Sequence, residues 1–572
     1  MFKVKSFDIS HPNPIFYRSN YTILNGVWDF SFDKHNTGEK KEYYINFPDS
    51  LKINIPFTYN TKESGINIQK TIKRVWYKKE IDIKTLDNHY ILHFEGVDGL
   101  SKLYINSKFV ETFKGGYHRH SVDITDYLVI GTNTITLSVF DSLSLALPRG
   151  KQRFTRENMM CWYDETIGIF KDVWLEEVPK DYILSFKLTP NRDTKTLNIK
   201  LHFIGNADSL KVNISYKDNN VYTNEYKVDS GYLDIDIKFD DIEEWNVLDP
   251  KLYDIELIYG LDIVLSYFAF RSLKIYNKKV FMNDIEIYQK LILDQGYFES
   301  TLLTPKSPNE LLNDIDLSIK LGFNGARKHE KREDDRYYAY ADMCGFILWA
   351  EMPSVYKVTT KAHNNLKEEW LKIVDELYNH PSIICWTPIN ESWGVYLINH
   401  KKKEREFVNS LYDLTKLHDP TRFCLTNDGW EHTKSDFLTI HLYDQDPLKL
   451  KKNIENAINK GIVKSLLPYK YHTYVKGYSY NDAPIILSEF GGTSFTPTKT
   501  KDWGYGKSVS DDKEFIDRIS SLFDVIKGIK EIKGYCYTQL SDVRQEINGL
   551  LYENRNPKID PNIIKDIQES QL

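Results

Sequence analysis

Cysteine is scarce in this sequence of 572 residues, and its five cysteines are odd in number and widely separated. They do not form the C-x-x-C spacing typical of zinc sites, and most lie within apolar runs. We therefore expect reduced, buried thiols and no bound metal. The cysteines are Cys161, Cys344, Cys385, Cys424 and Cys536.

Long apolar runs are also lacking. Residues 1–8 contain no hydrophobic core of signal-peptide length, and no later run reaches the roughly 18 apolar residues of a membrane-spanning helix. We expect a soluble, cytoplasmic protein that has no membrane partner.

The sequence also lacks an excess of basic over acidic residues. Lysine and arginine number 75 against 81 aspartate and glutamate residues, which gives a formal net charge of −6. Proteins that bind phosphate backbones usually present a basic surface, so we predict no nucleic-acid partner.

Aromatic residues, in contrast, are plentiful, with 39 tyrosines and 11 tryptophans. Such side chains suit stacking against sugar rings, although they equally suit the cores of β-sheets. The chain is longer than one hydrophobic core supports, and two to four domains are expected.

The first half of the chain consists of short β-forming runs separated by turn signals. Residues 1–179 contain runs such as YILHF at 90–94 and TITLSV at 134–139, whose length and spacing predict a β-sandwich. Residues 180–276 repeat the pattern in a smaller unit that fits a seven-stranded immunoglobulin-like β-sandwich.

From residue 277 to residue 572, short apolar strands alternate with longer helical patterns. This alternation predicts parallel βα units, and eight strands in this length predict a (β/α)8 barrel. The candidate strands are 290–294, 323–328, 346–352, 383–391, 422–429, 437–443, 484–492 and 534–542.

Two of the predicted barrel strands end in a carboxylate. The fourth ends at Asn390-Glu391, and the seventh contains Glu489. A single glutamate after an apolar strand is a capping or salt-bridged residue about as often as it is a catalytic residue. Cleavage of a glycosidic bond, however, needs two carboxyl groups, about 5 Å apart in a retaining enzyme, and strand ends at a barrel mouth can supply such a pair.

Several short motifs occur in a definite order along the chain. They are NGVWDF at 25–30, GVD at 96–98, YIN at 104–106, DETIGIF at 164–170, VWL at 173–175, NHPS at 379–382, Asn390-Glu391, and SEFG at 488–491. In order and spacing these motifs resemble glycoside hydrolase family 2, which includes β-galactosidases, β-glucuronidases and β-mannosidases. The motifs in the first half are similar to the sugar-binding jelly roll of the family, and those in the second half are similar to its acid/base and nucleophile signatures.

The resemblance implies that Glu391 is the general acid and base and that Glu489 is an ionised nucleophile. It also implies that Asn390 binds the sugar 2-hydroxyl and that Tyr443 donates to the nucleophile. Arg327 would lie near the nucleophile, although a purely structural ion pair is the alternative. The weaker candidates for sugar contact are Asp294, Lys328, His329, Asp428, Trp430, His441 and Trp503.

Three stretches depart from the family pattern and leave the sugar open. After the first barrel strand, LILDQGY at 291–297 replaces Gly-x-Asn-x-His. On the second, Arg-x-x-His becomes Arg327-Lys328-His329, and on the eighth a common tryptophan is replaced within YCYTQ at 535–539. These changes affect residues that are expected to recognise the sugar, and they leave the two glutamates unchanged.

One further departure bears on charged sugars. β-Glucuronidases of the family carry Asn-x-Lys before a glycine, whereas this chain has Glu546-Ile547-Asn548-Gly549. A negative Glu546 is expected to repel a uronate, although Lys328 or Arg544 could supply a cation from another direction. We therefore predict a β-galactosidase-like preference for neutral sugars over glucuronides.

Other functions stay open at this point. A carbohydrate-binding protein without turnover would keep the same surrounding residues, and a transglycosidase would differ only in its acceptor. The mechanism needs no cofactor, and we expect a homo-oligomer by analogy with the family.

Overall fold

The computed structural model describes residues 2–464, 470–496 and 501–570. Two β-sandwiches precede a barrel of parallel strands, which confirms the predicted fold class. The strand Val173–Val178 closes the first sandwich, Tyr182–Asn191 opens the second, and a three-stranded sheet at residues 273–286 leads into the barrel. The exact domain boundaries at residues 179 and 276 stay predictions.

The N-terminal sandwich packs a six-stranded sheet against a four-stranded sheet. In its strand Gly26–Phe32, Trp28 and Phe30 are buried while Val27 is exposed, the alternation expected of a strand with one face in a core. The strands in sheet order are Leu51–Ile55, Gly26–Phe32, Arg74–Ile83, Gly131–Phe140, Leu100–Ile105 and Lys108–Phe113, then Tyr21–Ile23, Val173–Val178, His89–Phe94 and His120–Asp123, with Gly168–Ile169 paired to Val97–Asp98 and a 3-10 helix at Thr125–Tyr127.

The second sandwich contains seven antiparallel strands in sheets of three and four. Its core is apolar throughout and separate from the core of the first sandwich. The strands in sheet order are Tyr182–Asn191, Thr196–Ile204 and Tyr232–Lys238, then Asn219–Lys227, Ser209–Tyr216, Tyr253–Tyr259 and Asp262–Phe268, followed by the connecting sheet Leu273–Tyr276, Lys279–Met282 and Ile285–Glu286.

The barrel is one eight-stranded parallel sheet whose edge strands are the fifth and sixth. The second to fifth strands are buried at every residue, because helices cover the outer face and side chains fill the interior. The barrel strands in chain order are Gln289–Asp294, Gly325–Lys328, Ile347–Glu351, Ile383–Thr387, Phe423–Cys424, Leu438–His441, Ile485–Gly491 and Ile532–Thr538.

Seven of these eight strands are shorter than the sequence predicts, among them the eighth, which ends at Thr538 rather than at residue 542. The fourth ends at Thr387 rather than at residue 391, and the fifth ends at Cys424 rather than at residue 429. Beyond these points the regular ladder stops, and one isolated bridge, Asn390 to Asp428, still joins the two segments through backbone hydrogen bonds from Asp428 to Ile389 and from Glu391 to Asp428. Short strands outside the barrel are Ile462–Lys464 with Lys470–His472, and Thr493–Phe495 with Tyr505–Val509.

The barrel helices follow from apolar spacing and from capping residues. In the helix at Thr360–Leu377, the buried Trp370, Ile373 and Leu377 recur at helical spacing, and the side chain of Thr359 accepts from the Ala362 amide. The helices are α1 Pro308–Lys320, α2 Asp335–Cys344, α3 Thr360–Leu377, α4 Lys402–His418, α5 Pro447–Lys460, α6 Asp512–Lys527 and α7 Pro561–Glu569. Within the described part of the chain, these helices are too short or too polar to span a membrane.

The N-terminal sandwich packs against the barrel near its mouth. The Tyr117 amide donates to Glu369 Oε1 at 2.7 Å, and the Arg149 amide donates to the Ser354 carbonyl at 2.9 Å. These contacts hold residues 149–163 of the sandwich beside the loops that follow the barrel strands.

Candidate active site

The two predicted glutamates face each other at the barrel mouth. A carboxylate oxygen of Glu391 and one of Glu489 lie within 4.8 Å of each other. The Glu391 side chain is 20% exposed and that of Glu489 is 5% exposed, so Glu391 is the more accessible of the two.

The backbone at Glu391 adopts a conformation that residues other than glycine seldom adopt. Glu391 has a φ of 50° and Ser392 has a φ of 59°. The segment after the fifth strand holds this turn, since the Glu391 amide donates to the Asp428 carbonyl at 3.0 Å and the Ser392 amide donates to Asn427 Oδ1 at 2.8 Å. Strain of this kind, on the order of 1–3 kcal/mol per residue, persists where the surroundings fix the geometry.

Glu489 lies among hydrogen-bond donors and positive charges. Arg327 Nη1 is 2.9 Å from its Oε1, and the Tyr443 hydroxyl donates to its Oε2. Burial raises the pKa of this carboxyl, but the charges of His441 and Arg327 outweigh burial and lower the pKa to about 2. Glu489 is therefore ionised at neutral pH.

His441 lies between the two glutamates. Its Nδ1 is 2.9 Å from Glu391 Oε1 and 3.3 Å from Glu489 Oε2, and its Nε2 is 3.4 Å from Asp428 Oδ2. Burial lowers the pKa of His441, but Glu489 and Asp428 raise it to about 10. The spacing of Glu391, His441 and Glu489 could hold a metal ion, which would have to displace the proton of His441 on binding.

Arg327 connects the nucleophile candidate to its neighbours. It lies 2.7 Å from Asp428 Oδ2 and from Glu351 Oε1, and its Nη2 donates to Asn390 Oδ1 at 3.2 Å. His329 is 2.8 Å from the other Glu351 oxygen. The structure thus brings Asn390, Arg327, Asp428 and His329 together with the two glutamates, and the role of each stays a prediction.

Aromatic side chains lie beside the two glutamates at the barrel mouth. Tyr443 stacks on Tyr505 at 3.6 Å between ring centroids, and Trp503 meets Tyr505 edge-on at 5.4 Å. The Trp503 indole donates to the Met160 carbonyl at 3.0 Å, which ties this loop to the N-terminal sandwich. Trp430 stacks on another aromatic ring and packs edge-on against His441 at 5.6 Å, so it is a packed residue at the edge of the site.

Lys328 and Asp294 lie outside this cluster, and the expectation that they contact sugar stays a prediction. Lys328 follows Arg327 on the second strand, so its side chain points to the opposite face, where it is fully buried. Its Nζ lies 2.8 Å from Asp294 Oδ2 and 2.8 Å from Glu333 Oε2. Both residues therefore belong to an ion cluster behind the barrel wall.

Glu546 belongs to a closed ring of five hydrogen-bonded residues. Tyr163 donates to one of its oxygens and Asn548 donates to the other at 3.0 Å. Gln295 and Gln539 complete the ring through contacts of 2.7 to 2.9 Å. Burial raises the pKa of Glu546, while the hydrogen bonds from Tyr163 and Asn548 act in the opposite direction and favour its charged form.

The two cations proposed as substitutes in uronate binding are both engaged. Lys328 is paired as described, and Arg544 lies 2.9 Å from Asp164 and 2.9 Å from Glu553. Neither side chain is directed at the two glutamates.

Sequence reasoning missed two charged residues of the site, Glu330 and Lys151. Asn390 Nδ2 donates to Glu330 Oε1 at 3.4 Å, and Lys151 Nζ lies 3.6 Å from the same oxygen. Glu330 stands three residues after Arg327, where the family pattern has a histidine, so the spacing itself was the signal. Lys151 had no local signal, because the N-terminal sandwich delivers it from a distant part of the chain.

Two family models match the chain. The model described as the sugar binding domain of glycosyl hydrolases family 2 matches residues 21–179, and the one described as the TIM barrel domain of that family matches residues 306–570. Their order is the order of the first sandwich and the barrel.

Individual relatives carry two different activities in their names. A β-glucuronidase from Streptococcus agalactiae is 22% identical to this chain, and the alignment covers 94% of each protein. A β-galactosidase from Thermoanaerobacterium thermosulfurigenes is 24% identical and covers 84% of this chain. For seven relatives, the Thermoanaerobacterium protein among them, the chain spans less than two thirds of the other protein's length, between 26% and 65%.

A solved structure of Ruminococcus gnavus β-glucuronidase in complex with D-glucaro-1,5-lactone has a similar fold. It aligns with a TM-score of 0.78 at 16% identity and covers 97% of this chain and 98% of the other. At this identity the likeness concerns the fold alone.

Proposed function

The chain belongs to glycoside hydrolase family 2, and from this premise we propose that it is a retaining exo-β-glycosidase that removes a terminal β-linked sugar. The observation that carries the proposal is the separation of Glu391 and Glu489, whose oxygens approach within 4.8 Å. Retaining glycosidases hold their carboxyl groups about 5–5.5 Å apart, whereas inverting enzymes leave about 6.5–9.5 Å for a water molecule.

In the first step, a Glu489 oxygen attacks the anomeric carbon while the bond to the leaving oxygen breaks. Glu391 gives its proton to that oxygen, and a glycosyl ester forms on Glu489. In the second step, Glu391 takes a proton from water, whose oxygen attacks the anomeric carbon. The ester bond breaks, the Glu489 carboxylate returns, and the sugar leaves with its anomeric configuration retained.

The surrounding charges suit Glu489 to the role of nucleophile. Arg327 and Tyr443 both contact its carboxylate, and its pKa of about 2 leaves it ionised at the pH of the cell. Glu391 is the more exposed of the two, which suits a group that must reach the leaving oxygen and then a water molecule.

Exo action follows from the walls of the site. Residues 149–163 of the sandwich and the Trp503 loop meet on one side of the mouth, where the Trp503 indole donates to Met160. A pocket closed on one side accepts the end of a chain better than its middle.

For the sugar, we propose a neutral β-galactoside-like substrate ahead of a β-glucuronide. Binding a uronate requires a cation with free donors, and Lys328 and Arg544 are both paired. Lys151 beside the site lies 3.6 Å from Glu330, whose negative charge would repel the carboxylate of a uronate bound there. The glucuronidase names of some relatives make glucuronides the main competing substrates.

The test is a panel of 4-nitrophenyl β-glycosides of galactose, glucuronic acid, mannose, glucose, fucose and arabinose. The wild type should release nitrophenol fastest from one neutral sugar. The controls Glu391→Gln and Glu489→Gln should each lower kcat by at least about 100-fold, because each removes a group that acts in the transition state.

The outcomes separate the competing functions. Binding without release, unchanged in either control, would identify a carbohydrate-binding protein and overturn the proposal. A glucuronide as the best substrate would overturn the neutral-sugar assignment while leaving the glycosidase proposal intact.

A further inference from the structure

The segment that carries Lys151 is fixed against the barrel. The Gly150 amide donates to the Ser354 carbonyl at 3.3 Å, and the Tyr356 hydroxyl donates to the Gly150 carbonyl at 2.7 Å. Gly150 has a φ of 55°, and a Cβ atom there would overlap the Glu330 carbonyl. This close approach of two domains places the next residue, Lys151, at the rim of the two-glutamate site.

The ammonium group of Lys151 is short of partners. Lys151 is only 7% exposed, yet among the described residues its nearest partners are Glu330 Oε1 at 3.6 Å and Cys161 Sγ at 3.8 Å. An ammonium group has three donors, and buried donors are normally satisfied by oxygen atoms at 2.7–3.2 Å. Lys151 therefore keeps hydrogen-bonding capacity that the protein itself does not use.

The charge state of Lys151 agrees with this geometry. Burial lowers its pKa, but the neighbouring Cys161, Glu330 and Glu391 raise it; because burial raises the pKa of the Cys161 thiol to about 12, the two carboxylates are the groups that favour the ammonium form at neutral pH. The ammonium form is thus the one that a substrate meets at neutral pH.

Glu330 is incompletely satisfied as well. Its Oε1 accepts from Asn390, while its buried Oε2 has no hydrogen-bond partner within the described part of the chain. A buried, unpartnered carboxylate oxygen beside a partner-poor ammonium indicates a place where a polar ligand belongs.

The position along the sugar follows from Asn390. If Asn390 binds the sugar 2-hydroxyl, a residue that lies next to Asn390 at the barrel mouth can reach the 3-hydroxyl, which is on the adjacent ring carbon. Glu330 is in contact with Asn390, and Lys151 lies next to Glu330 on the side of the N-terminal sandwich. Through Glu330 and Asn390, Lys151 is thus connected to the residue next to Glu391.

We infer that Lys151 is a substrate-binding residue that donates a hydrogen bond to the 3-hydroxyl of the terminal sugar, with Glu330 as the positioning residue that orients its ammonium group. The inference rests on the proposed function, because it assigns a contact within that site. On this inference, the N-terminal sandwich supports the barrel and also supplies a contact that contributes to sugar specificity.

The experiment combines a substitution with a deleted hydroxyl group. Wild type and Lys151→Met are compared on the glycoside with the highest kcat/KM in the panel and on the 3-deoxy analogue of the same 4-nitrophenyl glycoside. On the parent, Lys151→Met should lower kcat/KM about 10- to 100-fold, the usual effect of losing a hydrogen bond to a charged group. On the 3-deoxy analogue the same substitution should change kcat/KM less than about 3-fold, because the contact is already missing.

A matched control is Lys114→Met, which removes a lysine of the same sandwich that pairs with the barrel residue Glu368 at 2.9 Å but is half exposed. It should leave kcat/KM on both substrates unchanged. Glu330→Gln, which keeps the shape of the positioning residue, should repeat the Lys151→Met pattern in weaker form.

Equal losses on the parent and on the 3-deoxy analogue would overturn the inference, since a role in holding the domains together does not distinguish the two substrates. In that case, Glu489-dependent hydrolysis of the parent by the wild type would still support the proposed function. Failure of the wild type to hydrolyse any glycoside would instead overturn the proposed function and this assignment with it.

Discussion

At the scale of single residues, the site is organised around charges that hold Glu489 ionised. Arg327 and His441 act on it together, and Asp428 in turn pairs with both of these cations. Because the groups are buried, each charge is stabilised by partners rather than by water. Removing one partner leaves the others uncompensated.

His441 gives a prediction about pH. Its pKa of about 10 in the folded protein lies above the 6.5 of a free histidine, so its contribution to stability is full below about pH 6.5 and is lost as the pH rises towards 10. His441→Gln lacks this titration. We expect the difference in Tm between wild type and His441→Gln to be largest near pH 6 and to shrink strongly near pH 10.

The measurement is differential scanning calorimetry of both proteins across that range. A difference in Tm that stays constant or grows with pH would contradict the charged state assigned to His441. The range avoids acid pH, where protonation of Glu489 would add a second effect.

At the scale of elements, the residues after each barrel strand matter more than the strands themselves. The seventh strand leads through Gly492 into the segment that carries Trp503 and Tyr505. Gly492 has a φ of 73°, and a Cβ atom there would overlap the Tyr505 ring. Tyr505 in turn stacks on Tyr443, the donor to Glu489.

Gly492→Ala should therefore damage the site through Tyr505. We expect kcat/KM to fall about 10-fold or more, because displacement of a positioning group by even about 1 Å costs heavily in rate. The matched control is Gly477→Ala, whose φ of 92° imposes a similar backbone strain but whose added methyl group meets open space. Steady-state kinetics of the two variants measure the effect, and equal losses in both would rule out the role given to Tyr505.

At the scale of the whole molecule, buried ion pairs join the N-terminal sandwich to the barrel. Arg119 of the sandwich contacts Glu95 of its own domain and Asp335 at the start of α2. Both carboxylates are almost fully buried. The same interface positions Lys151, so the geometry of the site depends on how the domains dock.

Arg119→Met should destabilise the protein strongly, since it leaves Arg332 as the remaining cation beside the two buried carboxylates of Glu95 and Asp335. The expected loss is about 3–5 kcal/mol in the free energy of unfolding. Lys114→Met is the control, because Lys114 and Glu368 form a cross-domain pair in which both side chains are about half exposed. It should cost less than about 1 kcal/mol.

Urea denaturation of the two variants, followed by tryptophan fluorescence, measures the difference. Comparable effects from the two substitutions would contradict the view that burial decides the strength of these pairs. A second, earlier transition in Arg119→Met would show that the sandwich separates from the barrel first.

The sequence alone determined the architecture and the two glutamates. Alternating apolar runs and strand-length spacing depend on local chemistry, and they predicted two sandwiches and a barrel, which the structure confirms. A carboxylate at the end of an apolar strand is likewise a local feature, so Glu391 and Glu489 could be singled out from the printed residues.

Only the tertiary structure decided which other residues share the site. Lys328 and Asp294 are the last residues of two barrel strands, a position typical of residues that face the barrel mouth. Successive side chains of a strand point to opposite faces, and these two side chains lie behind the barrel wall, away from the two glutamates. Lys151 and Glu546 are more than 100 residues from Glu330 and from Tyr163 respectively, and no spacing rule connects them. Their positions depend on the docking of one domain on another, and contacts of that kind are formed by surfaces that the linear order of residues does not reveal.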